Sequence, residues 1–135
     1  MVNIIIITHG EFGAYLVEAA EAIVGRQEGV RSISISSRLP MGEARGRLER
    51  AVSELRGDGG LVVATDMPGG TPSNLAMPII KDMENVRIVS GVNLYMLVTA
   101  FNSRGTMKLE ALAEEMLSAG RRAIQDIKSM FLTKA

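Results

Sequence analysis

Residues Val2–Thr8 read Val-Asn-Ile-Ile-Ile-Ile-Thr, a nearly continuous run of β-branched side chains. Such a run is typical of a strand that is buried on both faces, as in a parallel sheet covered by helices. Leu61–Thr65 has the same character and predicts a second buried strand. Arg31–Ser36 alternates isoleucine with serine, which indicates a strand with one less buried face near a sheet edge. Val86–Ser90 predicts a fourth strand.

Helical patterns follow each of these strands. Phe12–Gly25 and Gly42–Leu55 carry apolar residues three and four positions apart, as an amphipathic helix does. Pro72 suits the first turn of a third helix, and we expect Pro78 to end or kink that helix early. Two further helices are predicted over Asn93–Arg104 and Leu109–Gly120.

The alternation of strands and helices predicts one α/β domain over residues 1–135. We expect an open, mostly parallel sheet of about four strands, with helices on both faces. The pattern becomes ambiguous after Gly120, a residue that also suits a helix end. Beyond it, several apolar residues fit a helical stripe: Ile124, Ile127, Met130 and Phe131.

Composition excludes several classes of function. Apolar residues make up 47% of the 135 residues, enough for a sizeable core, and 15 Lys and Arg balance 15 Asp and Glu. The chain therefore supplies no basic field for non-specific nucleic-acid binding. It has no cysteine, no basic region before its first apolar run, and no apolar stretch long enough to span a membrane. We expect a soluble cytoplasmic protein whose nine methionines mostly fill gaps in the core.

Two polar groups follow buried strands at the edge where open α/β sheets bind ligands. His9, the only histidine, comes after the first strand and before Gly10, and Asp66 comes after the third strand. A lone histidine is more often structural, and an aspartate before a glycine loop is often a turn residue. Placed together, however, the two side chains suit catalysis. A carboxylate bonded to one ring nitrogen fixes the tautomer and leaves the other nitrogen as a nucleophile.

The loop Pro68–Asn74 reads Pro-Gly-Gly-Thr-Pro-Ser-Asn and precedes a predicted helix. Its glycines, Gly69 and Gly70, can turn backbone N–H groups toward an anion, and a helix N-terminus adds partial positive charge. Thr71 and Ser73 offer hydroxyl donors. The same pattern also describes an ordinary turn followed by a helix.

Other chemistries lack their motifs. No glycine loop ends in Gly-Lys-Ser/Thr, no Gly-x-Gly-x-x-Gly follows the first strand, and no Gly-x-Ser-x-Gly occurs. One histidine with one aspartate makes a poor metal site. The sequence therefore predicts neither a metal nor a cofactor.

Three segments resemble the mannose-type IIA components of the bacterial phosphoenolpyruvate-dependent sugar phosphotransferase system (PTS), in the same order and spacing. They are Ile4–Gly10, Thr65–Asn74 and Ser90–Leu97, and the likeness runs over about the whole chain. The resemblance implies that His9 takes a phosphoryl group on Nε2 from phospho-HPr and passes it to a histidine of the IIB component. Asp66 matches the carboxylate that orients this histidine, and Gly70 and Thr71 match positions that contact the phosphoryl group.

The resemblance also implies partners. Members of the family are homodimers that exchange an antiparallel strand near the C-terminus, a place that Arg121–Ile127 occupies here. No IIB domain follows Ala135, so we expect a separate acceptor protein, and association with membranes only through the IIC and IID components. Two alternatives share the chemistry: a regulatory phosphohistidine module of an incomplete system, and the phosphocarrier of a dihydroxyacetone kinase. The role of Asn93, at another predicted strand end, stays open.

Overall fold

The isoleucine run forms an inner strand of a parallel sheet in the computed structural model, which describes residues 1–134 and the side chains of residues 1–132. The strands within this range are β1 (Asn3–His9), β2 (Val30–Ile35), β3 (Leu61–Thr65) and β4 (Val86–Val89). The helices are α1 (Phe12–Val24), α2 (Met41–Leu55), α3 (Thr71–Ile80), α4 (Leu94–Ser103), α5 (Leu109–Arg122) and α6 (Ile127–Lys134).

The four strands of the described chain run parallel in the order β2-β1-β3-β4. Ile4–Ile7 in β1 are completely buried, because alternate side chains point to opposite faces and both faces are covered. Ile4 and Ile6 pack with residues of α1, α4 and α5, whereas Ile5 and Ile7 pack with residues of α2 and α3. Full burial of one such side chain stabilises the fold by roughly 1.5–3 kcal/mol. The predicted fold class is confirmed.

Most predicted elements shift by only one or two residues. The prediction that Gly120 breaks the fifth helix is wrong, since α5 continues to Arg122. Gly120 is buried inside that helix, where an added Cβ would lie 2.9 Å from Cε of Met96. Its missing side chain thus serves close packing between α4 and α5. Pro78 lies in the last turn of α3, which ends two residues later, so the helix is short as expected.

The segment Arg121–Ile127 forms no strand within the described residues. It closes α5, passes through residues outside any helix or strand, and begins α6. Exchange of this segment between two subunits stays a prediction, and Ala135 lies outside the described residues.

Across the described part of the chain, every helix is too short or too polar to cross a bilayer. The methionines differ in burial. Met96 and Met116 fill the core as expected, but Met67 and Met77 are exposed.

Arg104, only 2% exposed, stabilises the end of the sheet at which the strands begin. Its guanidinium donates hydrogen bonds of 2.6–3.4 Å to the carbonyls of Val2, Glu28 and Gly29 and to the side chains of Asn3 and Gln27. These acceptors use all five guanidinium N–H groups. Burial lowers the pKa of Arg104. Peptide and amide oxygens, with no carboxylate among them, therefore compensate the buried charge.

We expect Arg104→Met to lower the free energy of unfolding by about 3 kcal/mol, because it removes five hydrogen bonds, among them the buried one to the carbonyl of Val2. Urea denaturation measures this loss. Arg87→Met is the matched control, since the Glu110 and Glu114 partners of Arg87 are exposed and such pairs contribute about 1 kcal/mol or less. Equal losses for the two variants would contradict the anchoring role of Arg104.

Candidate functional site

The site lies at the carboxyl ends of β1 and β3. His9 is the last residue of β1, and Asp66 directly follows β3. The two strands are hydrogen-bonded neighbours, with Ile7 opposite Thr65. The chain leaves β1 for β2 on one side and leaves β3 for β4 on the other, so this is the topological switch point at which open α/β sheets bind ligands.

The Asp66 carboxylate holds His9 by two hydrogen bonds. Oδ2 lies 2.7 Å from Nδ1 of the ring and accepts the backbone N–H of His9 at 2.9 Å. The other oxygen, Oδ1, accepts the backbone N–H of Met67 at 2.9 Å. An ionised carboxylate only accepts hydrogen bonds, so the proton of the neutral ring sits on Nδ1. The lone pair therefore lies on Nε2, which has no hydrogen-bond partner within the described residues.

Opposing effects act on the pKa of Asp66. Burial raises it and is the largest single effect, but the hydrogen bonds from the backbone and ring of His9, together with attraction to that ring in its charged form, lower it. The net result is a pKa below the usual value of 3.8. The carboxylate therefore stays ionised at neutral pH. Its side chain is 11% exposed, whereas that of His9 is 46% exposed, so the pair is anchored at one end and open at the other.

A tight turn after β1 sets the direction of His9. Gly10 adopts φ +63°, a left-handed conformation that favours glycine, and its N–H donates to the carbonyl of Ile35 at 2.8 Å. The hydroxyl of Thr8 donates to the Gly10 carbonyl and accepts the N–H of Gly13 in the first turn of α1. These bonds connect the end of β1 directly to the start of α1.

Gly70 brings the loop against the imidazole of His9. A Cβ added at Gly70 would lie 2.9 Å from Cε1 and 3.5 Å from Nε2 of the ring. The backbone of Gly70, with φ −83° and ψ 173°, is open to any residue, so glycine is needed here for space and not for conformation. Within the described chain, the N–H groups of Gly70, Thr71 and Ser73 have no acceptor, and they lie where α3 begins.

The other predicted phosphoryl-binding residues have distinct environments. Gly69 adopts φ +75°, and its carbonyl accepts from the side chain of Asn74 at 3.1 Å. Thr71 is the first residue of α3. The hydroxyl of Ser73 donates to the carbonyl of Met67 at 2.8 Å and lies 2.7 Å from Oγ1 of Thr65. Its proton is therefore directed into the loop, and its predicted contact with a phosphoryl group stays a prediction.

Asn93 has a structural position that its sequence context left open. Its Oδ1 accepts the N–H of Met96 at 2.9 Å, which caps α4. Its Nδ2 donates to the carbonyl of Gly120 at 3.1 Å, near the end of α5. Asn93 thus joins two helices at the strand-end edge of the sheet.

Sequence reasoning missed two features of this surface. The hydroxyl chain from Thr65 through Ser73 gave no signal beyond the polar character of both residues. Phe12 and Met67, 43% and 52% exposed, follow His9 by three residues and Asp66 by one, and they add exposed apolar side chains to the two segments that carry the pair. Met67 directly follows Asp66 outside any predicted helix or strand, and this position could have indicated an exposed apolar side chain. Among the described residues, no three His, Cys, Asp or Glu side chains cluster so as to hold a metal ion.

Comparison with known proteins finds a relative that aligns with almost the whole of this chain. The mannose-specific EIIAB component from Escherichia coli (strain K12) is 29% identical over 138 residues, which cover 99% of this chain and 42% of that protein. The chain thus spans less than half the length of that relative.

Two solved structures share the fold. The phosphotransferase system component EIIA from Streptococcus agalactiae has a TM-score of 0.86 at 29% identity, covering 96% of this chain and 99% of that one. The PTS IIA protein associated with the fucose utilization operon from Streptococcus pneumoniae has a TM-score of 0.88 at 25% identity, covering 96% of each chain.

The family described as the PTS system fructose IIA component matches residues 3–117, a span that contains the whole site and extends into α5. This match confirms the resemblance that the three sequence segments carry. The chain belongs to the EIIA-man family of the phosphotransferase system.

Proposed function

We propose that this protein is a cytoplasmic phosphocarrier of a sugar phosphotransferase system. His9 accepts a phosphoryl group from phospho-HPr and passes it to a histidine of the IIB component, which serves sugar uptake and phosphorylation. The observation that carries the proposal is the Nδ1–Asp66 contact of 2.7 Å, which leaves Nε2 unprotonated beside a glycine loop.

The chemistry needs no external base. Nε2 of His9 attacks phosphorus, a new N–P bond forms, and the N–P bond of the donor histidine breaks. The proton on Nδ1 stays in place and is shared with Asp66 Oδ2. The ring gains positive charge as the bond forms, and the adjacent carboxylate stabilises that charge. Transfer to IIB reverses the same steps, so the carrier returns to its starting protonation state.

The loop supplies the groups that would hold the transferred phosphoryl oxygens. The N–H groups of Gly70, Thr71 and Ser73 have no acceptor within the described residues. They lie at the N-terminus of α3, where the helix dipole favours an anion. Proximity of Gly70 to Cε1 and Nε2 puts this end of α3 next to the reactive nitrogen. Donors that are already in position cost no reorganisation when charge develops.

Protein partners suit the exposure of the site better than a small substrate does. The side chain of His9 is 46% exposed, and the exposed side chains of Phe12 and Met67 follow shortly after His9 and Asp66 in the chain. Exposed aromatic and methionine side chains are enriched where proteins dock. HPr and IIB, as successive phosphoryl donor and acceptor, fit such a surface.

We also propose a homodimer. Apolar side chains stay uncovered around the end of α5 and in α6, among them Ile23, Tyr95, Ile124, Ile127 and Phe131. Ile23, Tyr95 and Ile124 line one cavity of about 490 Å³. A two-fold dimer is the commonest way to cover such a surface.

The identity of the acceptor residue gives the first test. His9→Ala should abolish phosphorylation completely, because the chain has no other histidine. Intact-mass spectrometry after incubation with phosphoenolpyruvate, the first enzyme of the system and HPr measures it, with the unmodified protein as positive control. A phosphoryl group on His9→Ala, or none on the unmodified protein, would refute the proposed function.

Asp66→Asn should slow phosphoryl transfer by about 10²–10⁴-fold, since the substitution removes the charge that orients and stabilises the ring. Asp66 has a depressed pKa in the folded state, so its contribution to stability is present above its unfolded pKa of 3.8 and is lost as the pH falls through the folded value. Rapid-quench kinetics measures the first effect. Urea denaturation at neutral and strongly acidic pH should show that the stability difference between the two proteins disappears in acid. A normal transfer rate would make the pairing purely structural.

Gly70→Ala should also slow transfer, because the new methyl group would press on Cε1 of His9 and push the loop away from Nε2. We expect a loss of about tenfold or more, comparable to misplacing one oxyanion donor. Gly46→Ala is the matched control, since an added Cβ at Gly46 in α2 meets no atom within 4 Å. Unchanged transfer in Gly70→Ala would mean that the loop does not act on the phosphoryl group.

A further inference from the structure

A chain of two hydroxyl groups connects the end of β3 to the loop beside His9. Oγ1 of Thr65 lies 2.7 Å from Oγ of Ser73, which lies 2.8 Å from the carbonyl oxygen of Met67. A carbonyl only accepts, so Ser73 must use its single hydroxyl proton on Met67. Thr65 must then donate to Ser73. The direction of the chain is therefore Thr65 to Ser73 to Met67, and its order follows from donor counting alone.

The chain fixes Met67 from both sides. Its carbonyl is held by Ser73, and its N–H is held by Oδ1 of Asp66 at 2.9 Å. Thr65, the origin of the chain, is completely buried and cannot move without disturbing β3. Met67 is thus tied both to the rigid sheet and to the carboxylate that orients His9.

Met67 in turn limits where Gly70 can lie. A Cβ added at Gly70 would lie 3.0 Å from Cγ of Met67 and 2.9 Å from Cε1 of His9. Gly70 therefore packs closely against both of these side chains. A shift of Met67 would change the position of the loop N–H groups relative to Nε2.

We propose that Thr65 and Ser73 are positioning residues that set the distance between the α3 N-terminus and Nε2 of His9. This assignment rests on the proposed phosphohistidine function. It gives Ser73 a different task from the direct phosphoryl contact that its sequence position suggests. The hydroxyl acts through Met67 and Gly70, and only backbone N–H groups and Thr71 remain to contact the transferred group.

The test is a double-mutant cycle in phosphoryl transfer from phospho-HPr. Thr65→Val removes one bond and should slow transfer about 3-fold, whereas Ser73→Ala removes both and should slow it about 10-fold, as expected when one or two hydrogen bonds are lost. The double variant should be no slower than Ser73→Ala, because both changes break one chain. Thr65→Ser keeps the hydroxyl and should restore the rate.

A second readout needs no partner protein. His9 is the only histidine, so its Cε1–H gives a single resolved NMR signal, and Gly70 packs against that carbon. At fixed pH, Thr65→Val and Ser73→Ala should move this signal in the same direction. Thr99→Val is the matched control: Thr99 lies in α4, its hydroxyl has no partner within the described residues, and neither the signal nor the transfer rate should change.

Two kinetic results would overturn the assignment: additive losses in the double variant, or a normal rate in Thr65→Val beside a slow Ser73→Ala. The second result would return Ser73 to direct phosphoryl contact. An unmoved Cε1–H signal in both variants would also overturn it. Circular dichroism confirms that each variant is folded. Absence of phosphorylation in the unmodified protein, with the NMR shifts as expected, would refute the proposed function and leave the positioning of the ring supported.

Discussion

The burial of β1 on both faces is the constraint on which the rest of the structure depends. Four consecutive isoleucines with no exposed surface need helices on both sides of the sheet and a hydrogen-bonded strand at each edge. This requirement puts β3 beside β1 and brings their carboxyl ends together. His9 and Asp66 therefore meet because of packing that lies beneath them, at the ends of two strands with buried cores.

The two nitrogens of the His9 ring differ in their contacts: Nδ1 is bonded to Asp66, and Nε2 has no partner among the described residues. Asp66 uses both oxygens on N–H groups of His9 and Met67, so one side chain orients the ring and braces the loop opposite it. The side chain of His9 is 46% exposed. The contact between Asp66 and Nδ1 fixes the tautomer of a neutral ring and leaves the lone pair on the other ring nitrogen.

Patterns of burial were predictable from the sequence, whereas pairwise contacts were not. The β-branched runs at Val2–Thr8 and Leu61–Thr65 predicted the inner strands, and with them the adjacency of His9 and Asp66. Gly120 was misjudged because glycine marks both helix ends and close helix packing, and only the position of Met96 decides between them. The contacts of Arg104 and Ser73 were not predictable, since they depend on which oxygen atoms the folded chain brings within reach.

The network around Arg104 has a consequence for the order of folding. Its guanidinium joins α4 to backbone carbonyls 75, 76 and 102 positions earlier in the chain. Contacts over such separations carry a large loop-closure entropy, which is why they tend to form late. The starting edge of the sheet is therefore completed only when most of the chain has been synthesised and α4 has docked. Until that moment, the carbonyls of Val2, before β1, and of Glu28, before β2, lack the donor that Arg104 supplies, so the start of the sheet depends on a residue far along the chain.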